Sequence, residues 1–372
     1  MKPRIRITNR QTWRTLATSL LLFCLAPFAA YAHGGDDLTA GTILTRWRFS
    51  PEIVILTLLT ILIYWRGMMR RKPIHNPVPP LRHALFFSGV AVVFLALQSP
   101  IDPLAERLFS MHQVQHIMLR MLGPMLITLS GPEGILIAGL PRFARKNILA
   151  PIVTNPPVQM CFRFLTRPII AFLVFLASLY IWQVPRIHNA AIENDALHYT
   201  MHISMLAAGM MFFWLIFDRR PPPQSLKYQA RLLMLIGTIV SNMLIGSVTT
   251  LKTTVLYTAY GLNDRLFGLQ PMADETTGGF ILWMPASMMC IIAILISLHG
   301  WGKSEARVFL QLQNRAWNGS NSAALELPQT AEELRIKVKT ANRGTALTLL
   351  AVYLTMLAGV FSVAISVHIL SQ

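Results

Sequence analysis

The sequence predicts an all-α fold, a polytopic bundle of transmembrane helices with about seven core spans plus an additional C-terminal span. Three observations carry that expectation. Of 372 residues, 53% are hydrophobic and only 13% charged, with a mean hydropathy of +0.49, whereas soluble domains carry about 25% charged residues. Apolar stretches recur at close to the length needed to cross about 30 Å of hydrocarbon. Lysine and arginine in the connections are biased to alternate ones, 21 in one set and six in the other, as the positive-inside rule leads one to expect of a membrane protein.

Each element follows in order. Lys2, Arg4, Arg6, Arg10 and Arg14 precede an apolar run from Leu16 to Phe28 and the small-x-small site Ala30-Tyr31-Ala32. That is the layout of a secretory signal peptide, and the run is too short for a comfortable span. Eight apolar stretches remain, over roughly 51–65, 83–98, 112–130, 168–183, 197–217, 232–251, 280–298 and 345–369. The first two are expected to extend a turn into the interface. The organisation is then a signal peptide over 1–32, a seven-span core over 33–301, a cytoplasmic loop over 302–343 and a further transmembrane helix over 344–372.

The basic connections 66–82, 131–167, 218–231 and 300–343 are expected on the cytoplasmic side of a bacterial inner (plasma) membrane, with both termini outside, in the periplasm. A net charge of +17 would suit nucleic acid, but this placement makes membrane lipid the partner and excludes a nucleic-acid role. The three cysteines form no Cys-x-x-Cys pair and no disulfide framework. No Ser-His-Asp, Gly-x-Ser-x-Gly or His-Glu-x-x-His arrangement stands out, so an ordinary hydrolase is not expected.

The chemistry concentrates in two of the spans. His112, His116 and Arg120 lie at i, i+4 and i+8 along one face of the third stretch, and His198 and His202 repeat the i, i+4 pair on the fifth. Polar groups inside a bilayer are costly and face a partner, a cavity or a ligand. Both pairs fall at outer helix ends in this topology, so four imidazoles at similar depth can converge on one ion if the helices pack together. Imidazole suits copper, zinc and iron, and the flanking thioethers Met111 and Met201 tilt the choice to Cu(I). Neutral imidazoles are required, so occupancy should fall below about pH 6.5. Arg120 is read as structural, bonded to a carboxylate or to a backbone carbonyl near Pro124. If cleavage follows Ala32, His33 becomes the first residue, and its α-amine and imidazole together suit Cu(II) and would assist copper capture. The alternatives are a b-type cytochrome with the pairs as haem ligands, and a metal-free scaffold that docks partner subunits through its spans.

Several short motifs share an order. They are Trp47-Arg-Phe-Ser-Pro51, Ser99-Pro-Ile-Asp102-Pro, Leu108-Phe-Ser-Met-His112-Gln-Val-Gln-His116 with Gly123-Pro124, and Glu193-Asn-Asp-Ala-Leu-His198-Tyr-Thr-Met-His202 with Trp214. Tyr257-Thr-Ala-Tyr260 and Asp274-Glu-Thr-Thr-Gly-Gly279 with Trp283-Met-Pro285 follow. Over residues 45–300 this pattern resembles the CtaG family of cytochrome c oxidase assembly factors. The resemblance implies a seven-span membrane protein that is not an enzyme. It further implies copper supplied to the oxidase, with oxidase subunits and a periplasmic copper chaperone as partners, and His112, His116, His198 and His202 on the family's histidine positions. Gln183 stands where a histidine would be usual, Arg120 where an apolar residue would, and the eighth span lies beyond the family core.

Overall fold

The computed structural model describes residues 45, 47–70, 78–220, 224–261, 266–317 and 331–370. The signal-peptide reading and His33 lie outside these. Eleven helices carry the described fold. They are α1 (Pro51–Arg70), α2 (Pro80–Gln98), α3 (Phe109–Ser130), α4 (Glu133–Gly139), α5 (Pro156–Leu165), α6 (Pro168–Gln183), α7 (Pro185–Glu193), α8 (Asp195–Ile216), α9 (Tyr228–Leu251), α10 (Pro271–Trp317) and α11 (Ala331–Leu370). Short helical pieces fill 101–105 and 142–154, and no strand occurs among the described residues.

Proline opens α1, α2, α5, α6, α7 and α10, where its missing N–H is no loss and its φ suits the first turn. Asn194 caps α8 by accepting from the Leu197 amide at 3.0 Å. Gly131 ends α3 in the left-handed region, at φ 59°, where a Cβ would be strained.

Five of these helices are long and apolar enough to cross a membrane. Two bent pairs pass the same test together, α3 with α4 at 75° and α5 with α6 at 74°. That gives up to seven spans, matching the seven core stretches, with a shorter apolar stretch at Arg343–Gly359 inside α11.

Two connections differ from expectation. Residues 131–167 are helical for most of their length rather than a loop, because proline at 141, 151, 156 and 157 breaks the run into pieces too short for a hydropathy window to register. The seventh span does not stop near 298. As α10 it continues to Trp317, since helix hydrogen bonds are satisfied internally and need no apolar neighbours. The expected loop 302–343 is therefore largely helical where it is described.

The core lies between α3, α6, α8, α9 and α10. Met121, Phe175, Phe212, Leu235 and Cys290 are fully enclosed there, with Phe175 and Phe212 stacked at 4.1 Å. Within α3, Met118–Leu122 forms a π-turn just before Pro124. Proline cannot bond the carbonyl four residues back, and a one-residue bulge absorbs the mismatch. Gly209 of α8 packs on this bulge. A Cβ there would collide with the Arg120 carbonyl oxygen and approach Pro124 Cγ to 2.9 Å. Helices α3 and α8 thus touch backbone to backbone, which sets the depth of one histidine pair against the other.

Candidate metal centre

The first turn of α3 is fixed by α10. Asp274 accepts from the amides of Phe109 and Ser110 at 2.7 and 3.1 Å, and from the Ser110 hydroxyl. It caps donors that a helix start leaves unpaired. The next residue, Glu275, accepts from the amides of Leu256 and Tyr257 at 3.0 and 2.8 Å and pairs with Lys252. Both carboxylates are thereby consumed in holding α3 and the Leu256–Tyr260 turn. The turn presents Tyr257, stacked on Phe109 at 4.1 Å, and Tyr260.

With α3 fixed at one end and wedged against Gly209 at the other, the histidine pairs meet. Ring centroids of His112 and His116 are 4.2 Å apart, and those of His198 and His202 are 4.4 Å apart. Between helices, His112 lies 5.3 Å from His198 and 5.8 Å from His202, and His116 lies 5.8 Å from His202. One ring nitrogen from each of His112, His116 and His202 falls within 4.8 Å of the others, and all three residues are buried. His198 is half-buried beside them, its Nε2 3.2 Å from Nε2 of His202.

The donor chemistry fits a cation held by neutral nitrogens. The Ala105 carbonyl accepts from His112 Nδ1 at 3.2 Å, so that nitrogen carries the proton and Nε2 keeps its lone pair. His112 Nε2 has no hydrogen-bond partner, and neither nitrogen of His116 has one. Buried polar atoms are almost always satisfied, and an orphaned nitrogen on each of His112 and His116, grouped with a nitrogen of His202, suits a metal ion. Nitrogens about 2.0–2.1 Å from a metal sit about 3.3 Å apart in a tetrahedral set and about 3.6 Å apart in a trigonal one. The three nitrogens lie within 4.8 Å of one another, so closing on an ion would draw them together.

Met111 and Met201, expected as soft ligands, have apolar neighbours. Met111 packs on Leu104, Leu108 and Leu266, and Met201 is enclosed with Trp182, Ala191 and Met205. Each precedes a histidine by one residue, and that step turns a side chain about 100° around the helix axis. Both methionines thus sit among apolar side chains.

The sequence reading gave no role to His188, which adjoins the cluster, 5.1 Å from His112 and 6.2 Å from His116 between ring centroids. The Trp182 carbonyl accepts from its Nδ1 at 2.8 Å, and its Nε2 accepts from the Tyr260 hydroxyl at 2.7 Å. Burial holds its pKa down at about 4, against the stabilising Trp182 bond. With both nitrogens engaged, His188 is a wall of the cluster. Tyr260 also lines a cavity of about 210 Å³ together with Tyr257, Phe109 and Arg107.

Gln183, the departure from the expected histidine, spans the neighbouring polar layer. Its Nε2 donates to Gln113 Oε1 at 2.6 Å, and its Oε1 accepts from Tyr257 at 3.0 Å. Above the cluster, Arg48 bridges Asp102 and Glu106 at 2.8 and 2.7 Å. Burial raises the Asp102 carboxyl to about 6 against the pull of Arg48. One turn below His116, Arg120 donates to the Phe175 carbonyl at 3.0 Å and to Ser178 Oγ at 3.4 Å, and lies 3.9 Å over the Phe175 ring. It binds a backbone carbonyl as expected, but on α6.

Fold and site together define a polytopic helical membrane protein with a polyhistidine cluster buried at one end of its bundle. The chain belongs to the cytochrome c oxidase caa3 assembly factor family, whose profile matches residues 62–304. It is 26% identical to an uncharacterised protein of Mycobacterium bovis and to one of Mycobacterium tuberculosis, over 73% of this chain and 41% of each relative. An uncharacterised Mycobacterium leprae protein is 24% identical, over 73% of this chain and 42% of its own length. The chain thus spans under half the length of these curated relatives. No solved structure matches it.

Proposed function

We propose that this member of the assembly-factor family acts without catalysis, holding Cu(I) at His112, His116 and His202, with His198 at the rim, and passing it to a cytochrome c oxidase subunit. The observation that carries the reading is the set of orphaned buried nitrogens on His112 and His116 facing His202. The ligand set brings no anionic group, so the full charge of the ion stays buried. Desolvation cost grows with the square of the charge, which favours a monovalent ion over Cu(II) or Zn(II), and imidazole serves Cu(I). A permanently cationic Arg120 beneath the cluster opposes movement of a cation deeper into the bundle and favours release on the side it came from. Haem is disfavoured by the 4.2 and 4.4 Å spacings within each pair and by cross-helix spacings under 6 Å, which leave no slab for a porphyrin between imidazoles.

The histidine end is the outer, periplasmic end in this proposal, from the 21-to-six distribution of basic residues. A cysteine introduced at Lys146 should label only in permeabilised cells. For the site itself, the purified protein is loaded anaerobically with Cu(I) and its metal content measured. Wild type should retain copper, and His116→Ala with His202→Ala should lose both copper and oxidase assembly in cells. Wild-type copper and oxidase activity in that variant would remove these histidines from the function.

A further inference from the structure

The opposite end of the bundle carries a second built feature. Where α3 ends, two arginines from distant parts of the chain converge on its last carbonyls. Arg82 of α2 donates to the carbonyls of Ser130 and Gly131, and Arg219, just after α8, donates to that of Leu129. A Cβ on Gly131 would lie 2.8 Å from Arg82 Nη2 and 3.1 Å from Arg219 Cζ, so the two guanidinium groups are within about 6 Å of one another. Burial and the like charge of Arg82 both lower the Arg219 pKa, with Glu133 acting the other way. No carboxylate lies within ion-pair distance of Arg219 among the described residues. Both arginines line a cavity of about 260 Å³ that also takes in Trp214 and Arg220. Its two acids have partners. Asp218 pairs with Arg220 at 2.6 Å, and Glu133 accepts from Trp214 Nε1 at 3.0 Å.

A second observation points to what the cavity receives. The helical pieces over 142–165 bury no residue at all. They expose Phe143, Ile152, Met160 and Phe164 at 49–67% alongside Arg142, Arg145, Lys146 and Arg163. No acidic residue occurs between Glu133 and Glu193. A basic, amphipathic and unburied segment of this kind lies in a membrane interface. It adjoins the cavity, because Phe162 meets Trp214 edge-on at 5.7 Å.

We infer that the Arg82–Arg219 cavity, with the basic segment 142–165 beside it, binds the phosphate headgroup of an anionic phospholipid. Paired guanidinium groups match phosphate geometry. A tryptophan at headgroup depth and apolar side chains alongside receive the glycerol and upper acyl region. A free phosphate would use the arginines alone and leave the exposed apolar face of 142–165 without a role.

The test uses the full chain, delipidated in neutral detergent. Dioleoylphosphatidylglycerol, dioleoylphosphatidylcholine or inorganic phosphate is titrated in, and bound molecules are counted by native mass spectrometry. The phosphatidylglycerol should bind at least about tenfold more tightly than the phosphatidylcholine. Arg219→Gln should remove that preference, and Glu133→Gln should sharpen it. If Arg219→Gln does not fold, the triple variant Arg142→Gln, Arg145→Gln, Lys146→Gln alters only side chains outside the core and should still weaken phosphatidylglycerol binding severalfold. Equal binding of the two lipids, or wild-type binding by the variants that fold, would overturn the site. Inorganic phosphate displacing the lipid at equal concentration would show a free-anion site and overturn the lipid assignment.

Discussion

Replacing His116 with leucine should make the metal-free protein more stable while abolishing copper binding. Both ring nitrogens of His116 are buried without a hydrogen-bond partner, and an unsatisfied buried polar group costs about 1–3 kcal/mol. Leucine is close in volume and carries no polar atom, so misfit takes back less than about 1.5 kcal/mol. The net expectation is a gain of roughly 1 kcal/mol in the apo state. Copper at a hundred times its dissociation constant should stabilise wild type by about 2.7 kcal/mol and His116→Leu by nothing. Denaturant unfolding of the detergent-solubilised protein, with and without anaerobic Cu(I), reads both numbers. A metal-free His116→Leu less stable than wild type would mean that His116 already has a structural partner. A variant that still gained stability from copper would place the ion elsewhere.

Three further outcomes follow from the same geometry. His188 titrates near 4 when folded and about 6.5 when unfolded. The unfolded state therefore binds more protons between those values, and stability present above pH 6.5 should fall by about 3 kcal/mol as pH drops to 4. A His188→Gln variant with the same acid-induced loss in a pH series of melts would contradict this. Tyr260→Phe strands His188 Nε2 and should cost about 1–3 kcal/mol while leaving copper content intact, as thermal melting and metal analysis would check. Gly209→Ala drives a methyl into the Arg120 carbonyl and should cost about 1–3 kcal/mol. It should also weaken copper retention by displacing His202 from His116. Unaltered retention would separate the helix contact from the site.

The histidine pairs were legible because i, i+4 spacing needs only the period of a helix, and the seven core stretches because lipid demands apolar length. What periodicity does not specify is which helices are neighbours. The meeting of α3 and α8 depends on Gly209 reaching a backbone bulge at Arg120, and nothing in a hydropathy profile marks that contact. Sequence adjacency did not reveal the apolar surroundings of Met111 and Met201, one step along the helix from a histidine. It also concealed His188, a single histidine on a short helix whose role is set by a carbonyl on α6 and a tyrosine 72 residues further on. The pieces over 142–165 escaped because proline breaks every run and the apolar residues alternate with arginine.

The two ends of the bundle solve opposite electrostatic problems. At the histidine end the nearby carboxylates among the described residues are already engaged, Asp274 by α3 amides, Glu275 by Lys252 and loop amides, and Asp102 by Arg48 and Gln115. A cation arriving there meets only neutral nitrogens, so it gains ligation without a strong electrostatic trap. In the proposed function such a site would hold an ion against water and yield it to a partner that offers a thiolate or carboxylate. Arg120 sets the floor of that site, since a fixed positive charge one turn below His116 makes every deeper position worse for a cation. The other end gathers Arg82, Arg219 and Arg220 around one cavity, which in the inference above suits it to meet a lipid phosphate. A single reversal of charge along the bundle axis accounts for both, and it is already present in the unequal distribution of lysine and arginine along the chain.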